Sequence, residues 1–398
     1  MKARTPLEVM LVAGRLGIMS FGGPIAHLGY FHEEYVVRRK WVDERSYLDL
    51  VALCQMIPGP ASSQLGIAIG IHRAGILGGV AAWAGFTLPS AIALVVFAQL
   101  AHGSGVSTAG WLHGLMVVAV AVVAQAVWTM ARTMAADALR ASVAFAAAII
   151  SIIFPSSFTQ ISLIVAGALV GLAFLRSSTE DRQAPAAGFG GISRAAAVSC
   201  LAAFGALLLG LPVLRAVLHS HWVAVVDSFY RSGSLVFGGG HVVLPLLQRE
   251  VVPPGWISDA AFLSGYGAAQ AVPGPLFTFA AYLGAALGPA PNGVPGAALA
   301  LAAIYLPSFL LVIGLLPFYG ALRGRQDVRS ALSGVNAAVV GILLAALYTP
   351  VWTSAIVNPA DFAVGLAAFL LLMVWRVRPW IIVIGGAITG QALSLFFT

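Results

Sequence analysis

Two short glycine- and proline-rich motifs interrupt apolar stretches of this sequence, and each motif occurs twice. Phe21-Gly-Gly-Pro24 and Pro58-Gly-Pro60 lie in the first half of the chain. Their later copies are Phe237-Gly-Gly-Gly240 and Pro273-Gly-Pro275. Proline removes a backbone donor and glycine permits a sharp turn, so each copy predicts a broken helix. The half-helix after a break has free N–H groups and a positive dipole end, which suit an anion. The simpler alternative is that all four are structural kinks.

Polar and charged side chains near these breaks are candidates for holding an anion. Arg15 and Arg231 lie inside apolar runs, a few residues before each Phe-Gly-Gly motif. Inserting an arginine at the middle of the membrane costs about 2.5–3.5 kcal/mol on insertion scales. The planar guanidinium group of arginine binds oxyanions in bidentate fashion. The alternative is that either arginine snorkels or pairs with an acid such as Asp227. The predicted substrate-binding set is Arg15, Phe21, Gly22, Gly23, Gln55, Pro58, Gly59, Ser62, Ser63, Arg231, Gly238, Gly239, Gln270, Gly274 and Thr278.

Four titratable side chains near the breaks are candidates for carrying a coupling proton, namely Glu34, Glu250, His27 and His241. A carboxylate at a cavity mouth can bind a proton, but it can equally form half of an ion pair in a loop. The two histidines do not align with each other, which favours packing or capping over proton shuttling. Gln55 and Gln270 have two open roles, since glutamine can donate to a substrate or satisfy carbonyls freed by a broken helix.

The composition is that of a membrane protein. Of 398 residues, 60% are apolar and 9% are charged, and the mean hydropathy is +0.95. A soluble protein is about a quarter charged, so lipid must cover most of this surface. The net charge of +7 comes from scattered arginines between apolar runs, which is typical of membrane loops and not of a nucleic-acid groove. We expect no disulfide and no zinc site, because the only two cysteines lie in apolar segments, and we predict no cofactor.

The apolar runs predict an all-α integral membrane protein with thirteen membrane segments. They lie at residues 7–31, 48–71, 75–101, 108–131, 141–154, 158–175, 195–217, 222–247, 260–287, 296–320, 330–348, 360–375 and 379–397. Most are near the roughly 20 residues that a crossing helix needs. Small residues at four-residue spacing, such as Gly167 and Gly171 or Gly386 and Gly390, predict close helix contacts.

The second half of the chain repeats the first. Arg15 and Glu34 align with residues 216 positions later, and Gln55 aligns with Gln270 after one deletion. Such a collinear series indicates a tandem duplication. The segment at 195–217 has no counterpart among the six segments of the first unit, so it inverts the second unit. The predicted organisation is a first repeat over 1–175, a cytoplasmic linker over 176–194, an extra helix over 195–217 and a second repeat over 218–398.

Charge placement predicts the orientation. The stretches 102–110, 155–160, 288–295 and 349–359 contain no Lys, Arg, Asp or Glu, and we place them outside. The arginine-bearing connections then lie in the cytoplasm with the N-terminus, and the C-terminus is periplasmic. The charged loop 33–45 breaks this rule unless the runs 7–31 and 48–71 are re-entrant hairpins. Re-entrant hairpins and discontinuous full crossings both remain open.

The motifs together resemble the chromate ion transporter family in its two-domain, long-chain form. They are Phe21-Gly-Gly-Pro24, Trp41-Val-Asp43, Gln55-Met-Ile-Pro-Gly-Pro60, Phe237-Gly-Gly-Gly-His241, Trp256-Ile-Ser-Asp259 and Gln270-Ala-Val-Pro-Gly-Pro275. The resemblance implies chromate efflux across the bacterial inner membrane, with chromate resistance as the result and proton coupling as the usual supposition. A carrier for sulfate or another small oxyanion is the alternative.

A membrane-embedded enzyme is the remaining rival. His32-Glu-Glu-Tyr35 lacks the second histidine of a zinc-protease helix, and the sequence has no phosphate-binding loop or paired-aspartate motif. We therefore expect a transporter and not an enzyme. The direction of transport, the coupling ion and the choice between monomer and homodimer stay open.

Overall fold

The computed structural model describes residues 5–20, 23–103, 110–175, 192–237, 240–319 and 325–397, and these residues are helical or form connections. The helices before the linker are α1 Pro6–Met19, α2 Gly23–Phe31, α3 Glu44–Met56, α4 Ala61–Gly103, α5 Gly110–Met134, α6 Ala138–Ile153 and α7 Ser157–Phe174. Those after it are α8 Arg194–Leu218, α9 His221–Ser234, α10 Val243–Val251, α11 Asp259–Ala271, α12 Phe279–Ala286, α13 Gly293–Leu315, α14 Gln326–Ala346, α15 Pro359–Met373 and α16 Pro379–Phe397. Residues His32–Arg38 and Leu347–Trp352 form π-helical turns.

The apolar surface of these helices confirms a membrane protein. Within the described residues, five helical stretches are long and apolar enough to cross a bilayer, namely Ala61–Ala101, Gly110–Met134, Arg194–Leu218, Gly293–Phe318 and Gln326–Ala355. Large apolar side chains also face outward, and Phe158, Leu209 and Leu395 are 73–78% exposed. Only 11% of the apolar window of α8 is buried, so this helix lies at the periphery. The helix α8 corresponds to the extra segment predicted at 195–217.

The helices break where the sequence predicts. Helix α1 ends at Met19 and α2 starts at Gly23, while α3 ends at Met56 and α4 starts at Ala61. In the second half, α9 and α11 end at Ser234 and Ala271, and each restarts as a short 3₁₀ turn. One boundary differs, because α3 begins four residues before the predicted run at 48. Asp43 caps this polar first turn by accepting a hydrogen bond from the Ser46 N–H at 2.9 Å.

The broken helices α1–α2 and α3–α4 each begin and end at the same end of the molecule. Glu8, at the start of α1, lies 3.8 Å from Arg39 Nη1 and 3.1 Å from Arg73 Nη2. Both guanidinium groups also lie within 5.6 Å of the centre of the Trp41 ring. The start of α1, the connection after α2 and residue 73 of α4 therefore meet at one end, which we call the Trp41 end. This geometry agrees with the re-entrant alternative.

Helix α4 consists of two antiparallel arms. Ala74 and Gly75 leave the helical conformation, and Gly75 has a φ of +68°. The arms fold back so closely that a Cβ on Gly70 would lie 2.4 Å from the Gly78 carbonyl oxygen. Residues 61–73 therefore return to the Trp41 end, and residues 76–103 run back into the molecule.

The second half repeats this arrangement around Trp256. The His221 ring, at the start of α9, lies 4.5 Å from the Trp256 ring. The Gly288 N–H, just after α12, donates to the Trp256 carbonyl oxygen at 2.9 Å. The broken helices of the second half thus begin and end at the Trp256 end.

The Trp41 and Trp256 ends are separated by the length of α13. This helix starts shortly after Gly288, at the Trp256 end, while its last turns pack with Val9 and Trp41 in one apolar cluster. Its 23 residues span about 35 Å at ~1.5 Å per residue, which matches the ~30 Å apolar core of a bilayer.

The two halves also exchange helices. In α5, a Cβ on Gly114 would lie 2.1 Å from the Gly386 carbonyl oxygen of α16. In α14, a Cβ on Gly334 would lie 1.9 Å from the Gly167 carbonyl oxygen of α7. Each half therefore packs the helix of its fourth segment, α5 or α14, against the last helix of the other half. The predicted role of the small residues in helix contact is confirmed at Gly167 and Gly386.

Candidate functional site

Two hydrogen bonds cross between the halves at the breaks. The N–H of Gly59, in the first Pro-Gly-Pro, donates to the Val236 carbonyl oxygen at 2.7 Å. The N–H of Gly274, in the second Pro-Gly-Pro, donates to the Ser20 carbonyl oxygen at 2.9 Å. Ser20 and Val236 directly precede the two Phe-Gly-Gly motifs. The breaks of the two halves therefore meet at one centre, as the duplicated motifs predict.

The central glycines are required by backbone conformation and by space. Gly59 and Gly274 have φ values of +124° and +100°, which side chains with a Cβ rarely adopt. A Cβ on Gly59 would lie 2.8 Å from Ser308 Oγ, and one on Gly274 would lie 2.9 Å from Ser90 Oγ. The sequence Leu88-Pro-Ser90 recurs as Leu306-Pro-Ser308, so each Pro-Gly-Pro packs against the serine of this motif in the other half.

His27 connects the first break to the half-helix that starts at Ala61. Its buried ring places Nδ1 3.2 Å from Ser62 Oγ and Nε2 3.2 Å from the Ser20 carbonyl oxygen. A carbonyl can only accept, so Nε2 carries a proton, and in the neutral ring Nδ1 accepts from the Ser62 hydroxyl. Protonation would make Nδ1 a donor and would reverse this bond.

One cavity of about 710 Å³ reaches the first break from the Trp41 end. Gln55, Gly59 and Ser62 line its inner part, and Gln55 is exposed to it. We call it the Arg140 cavity. Its described lining also includes Thr129, Thr133, Arg140, Tyr319, Arg329, Ser333 and Asn336. Polar groups thus accompany the path from the mouth to the break.

A second cavity of about 980 Å³ lies at the other end of α5. His113 and Asp361 line it, with His113 Nε2 2.8 Å from Asp361 Oδ1 across the two halves, and we call it the His113 cavity. Helix α5 lines this cavity with residues 110–117 and the Arg140 cavity with residues 129–134. Between them, Val118 to Val123 are buried and apolar. The cavities therefore lie on opposite sides of a closed apolar section.

Arg231 forms ion pairs in the structure. It binds the buried carboxylates of Asp227 and Glu250, and Arg215 of α8 binds the same two groups at 3.2 and 3.5 Å. This confirms the alternative that Arg231 pairs with Asp227. Arg231 is not among the lining residues of either cavity. A buried carboxylate pair requires this much positive charge nearby.

The other charged candidates also lie away from the cavities. Arg15 is exposed on the face of α1 that carries Leu11 and Ile18, and it does not line the Arg140 cavity. Glu34 pairs with Arg38 at 2.8 Å and with Arg39 at 2.6 Å. The sequence offered two roles for Glu34 and Glu250, carrying a proton or forming an ion pair. In the structure both carboxylates form ion pairs.

The remaining candidates surround the two Pro-Gly-Pro turns. The Pro58 carbonyl accepts from Gln64 Nε2 at 2.6 Å, and Ser63 is buried beside Tyr305. In the second half, Thr278 donates to the Pro275 carbonyl at 2.8 Å, and His241 bonds Tyr266 at 2.7 Å. Gln270 lies next to Tyr266. Gly23 is the first residue of α2, while Phe21, Gly22, Gly238 and Gly239 lie outside the described residues.

Comparison with known protein families decides the identity. The family described as Chromate transporter matches residues 7–172 and 223–391, one segment in each half. The chain belongs to the chromate transporter family. The unmatched residues between these segments, 173–222, contain the whole of α8.

Relatives within the chromate transporter family extend over nearly the whole chain. A probable chromate transport protein of Synechococcus elongatus is 27% identical over 94% of this chain and 92% of its own length. The chromate transport protein of Cupriavidus metallidurans is 26% identical over 94% and 90%, and that of Pseudomonas aeruginosa is 26% identical over 93% and 88%. No solved structure shows a significant match. The family is one of transporters and not of enzymes.

Sequence reasoning missed the outer part of the Arg140 cavity in this chromate transporter family member. Arg140 and Arg329 lie among the arginine-bearing connections that the charge rule assigns to the cytoplasm, and Thr129, Thr133 and Asn336 are not part of the predicted site. One signal was present, because Thr129 and Thr133 are four residues apart and share a face of the apolar helix α5. Such a polar pair on an apolar helix indicates a face that contacts water and not lipid.

Proposed function

We propose that this protein exports chromate, or a tetrahedral oxyanion of the same charge, from the bacterial cytoplasm. The observation that carries the proposal is the pair of crossed hydrogen bonds at Gly59 and Gly274, which joins the breaks of both halves where the Arg140 cavity ends. The choice of chromate as the substrate rests on membership of the chromate transporter family. An inside-negative potential favours outward movement of anions by about 2.3 kcal/mol per charge per 100 mV, which supports export.

The anion would bind at the inner end of the Arg140 cavity. Ser62 lies in the first turn of the half-helix that starts at Ala61, where free N–H groups and the positive dipole end favour an oxyanion. The exposed amide of Gln55 lines the same space and can donate to it. These two side chains are the transport-site residues we favour over Arg15 and Arg231.

Proton coupling in this proposal runs through His27. When the ring is neutral, the Ser62 hydroxyl donates to Nδ1 and is not available to the anion. When the ring is protonated, Nδ1 donates to Ser62 Oγ, and the hydroxyl hydrogen is free for an oxyanion. A proton and a dianion would therefore bind cooperatively, and the pair still carries a net negative charge that the membrane potential drives outward.

The proposed architecture is a pair of inverted repeats in the inner membrane, with the Trp41 end in the cytoplasm. It is supported by the separation of the Trp41 and Trp256 ends along α13 and by Arg140 and Arg329 at the first of them. The cavities at the two ends of α5 would be the inward and outward vestibules of alternating access.

Cysteine labelling tests this orientation. In a variant that lacks Cys54 and Cys200, single cysteines at 102–110 or 349–359 should react with an impermeant maleimide added outside intact cells. Val357 is the best position in the second stretch, since it is 68% exposed. Cysteines at 323–329 should react only after the cells are opened. Outside labelling of 323–329 in intact cells would contradict the orientation.

Flux measurements test the function. Purified protein in liposomes should move radiolabelled chromate, with competition by sulfate measuring selectivity, and the rate should rise on acidification. His27→Gln should remove this pH dependence and retain flux. If sulfate moves and chromate does not, sulfate is the substrate, and if neither anion moves, the proposed function is wrong. An unchanged pH profile in His27→Gln would reject the coupling role of His27.

A further inference from the structure

The charged side chains that line the Arg140 cavity are all basic, although Arg140 also pairs with Asp137, which is not part of the lining. Of the described residues that line it, only Arg140 and Arg329 are charged. They come from different halves of the chain, since Arg140 lies in the first turn of α6 and Arg329 in the first turn of α14. Both side chains are partly exposed. A cleft with one sign of charge and low-dielectric walls concentrates ions of the opposite sign.

Arg140 is held in place by its own helix cap. Asp137 caps α6 by accepting from the Arg140 N–H at 2.9 Å, and its other oxygen accepts from Arg140 Nε at 2.5 Å. This contact uses one of the five guanidinium donors. A fixed guanidinium loses less side-chain entropy when it binds an oxyanion than a freely moving one would.

The polar lining continues from these arginines towards the break. Thr129 of α5 and Ser333 and Asn336 of α14 provide neutral hydroxyl and amide groups, and Ser62 lies at the inner end. The Thr133 hydroxyl also lines the path but donates to the Thr129 carbonyl of its own helix at 3.1 Å. The arginines thus lie at the outer part of the path and the half-helix at its inner end. A strong cationic site at the mouth, followed by weaker neutral groups, lets an anion bind and then move on.

We propose that Arg140 and Arg329 form a capture subsite for a divalent oxyanion at the mouth of the Arg140 cavity, separate from the transport site near Ser62. This inference rests on the proposed function. The planar guanidinium groups of Arg140 and Arg329 would bind chromate or sulfate oxygens before the anion reaches the break. The subsite sets the apparent affinity for cytoplasmic anion, and it takes no part in the conformational step.

Steady-state flux of Arg140→Gln and Arg329→Gln in liposomes tests the subsite, with chromate on the cytoplasmic side of the protein. Each variant should raise the KM about tenfold, as expected for a lost charge-assisted hydrogen bond, and should leave the maximal rate within about twofold of wild type. The wild-type KM should rise with ionic strength, and the double variant should lose most of this dependence. Arg140→Lys should restore part of the affinity, because it keeps the charge and lacks the planar guanidinium group.

Arg132→Gln is the matched control, since Arg132 lies near the same end of α5, is exposed and does not line the cavity. It should retain the wild-type KM. A wild-type KM in the double variant, or an equal rise in Arg132→Gln, would overturn the subsite while leaving the proposed function intact. Wild-type protein that moves neither chromate nor sulfate would overturn both.

Discussion

Gly59→Ala should reduce chromate flux per inserted molecule by at least about tenfold, a loss that ~1.4 kcal/mol would produce. Gly59 has a φ of +124°, and a Cβ there would lie 2.3 Å from Gln64 Nε2 and 2.8 Å from Ser308 Oγ. The strained backbone costs on the order of 1–3 kcal/mol and would be relieved by moving the turn away from Val236. That movement breaks the crossed hydrogen bond and displaces the half-helix that carries Ser62.

Gly75→Ala is the control for this prediction. Gly75 also has a positive φ, of +68°, but a Cβ on it would meet no atom within 4 Å. The variant should show the same kind of backbone strain in a connection far from the centre, with flux per molecule near wild type. Equal flux in the Gly59 and Gly75 variants would show that the crossed turns are not part of the transport path. Gly274→Ala then tests whether the two halves contribute equally.

The broken helices could be predicted because their signals are local. Proline and paired glycines act on the backbone where they occur, and the duplication repeats them in order. The Gly167 and Gly386 contacts follow from four-residue spacing on one helix face. The prediction of α3 began too late because apolarity was used to locate the helix, whereas its first turn is polar and capped by Asp43.

The partners of the charged residues could not be predicted with the same success. Arg231 lies four residues after Asp227, so that pair was one of two open alternatives. Glu250 and Arg215 are distant in sequence, and only the packing of α8 and α10 against α9 brings them to the same group. The Arg140 cavity depends on the exchange of helices between the halves, which brings α6 next to α14. No local pattern in either helix specifies that exchange.

Arg231→Gln should strongly reduce the amount of folded protein and leave the flux of the remaining molecules near wild type. Arg231 and Arg215 neutralise Asp227 and Glu250, and both carboxylates are buried. Removing one partner from a buried charge network costs about 3–5 kcal/mol, which is a large part of the stability of most proteins. The yield of monodisperse protein and its thermal midpoint in detergent measure this loss.

A compensating change separates this structural role of Arg231 from anion binding. Asp227→Asn combined with Arg231→Gln removes one charge of each sign and should recover much of the lost folded protein. Arg15→Gln, on the exposed face of α1, should leave the yield unchanged in the same assay. If Arg231 holds the transported anion, as its position in the sequence first suggested, the double variant will fold and its flux per inserted molecule will be lost. Recovery of both yield and flux would assign Arg231 to the ion-pair network that holds α8 and α9 together at the Trp256 end.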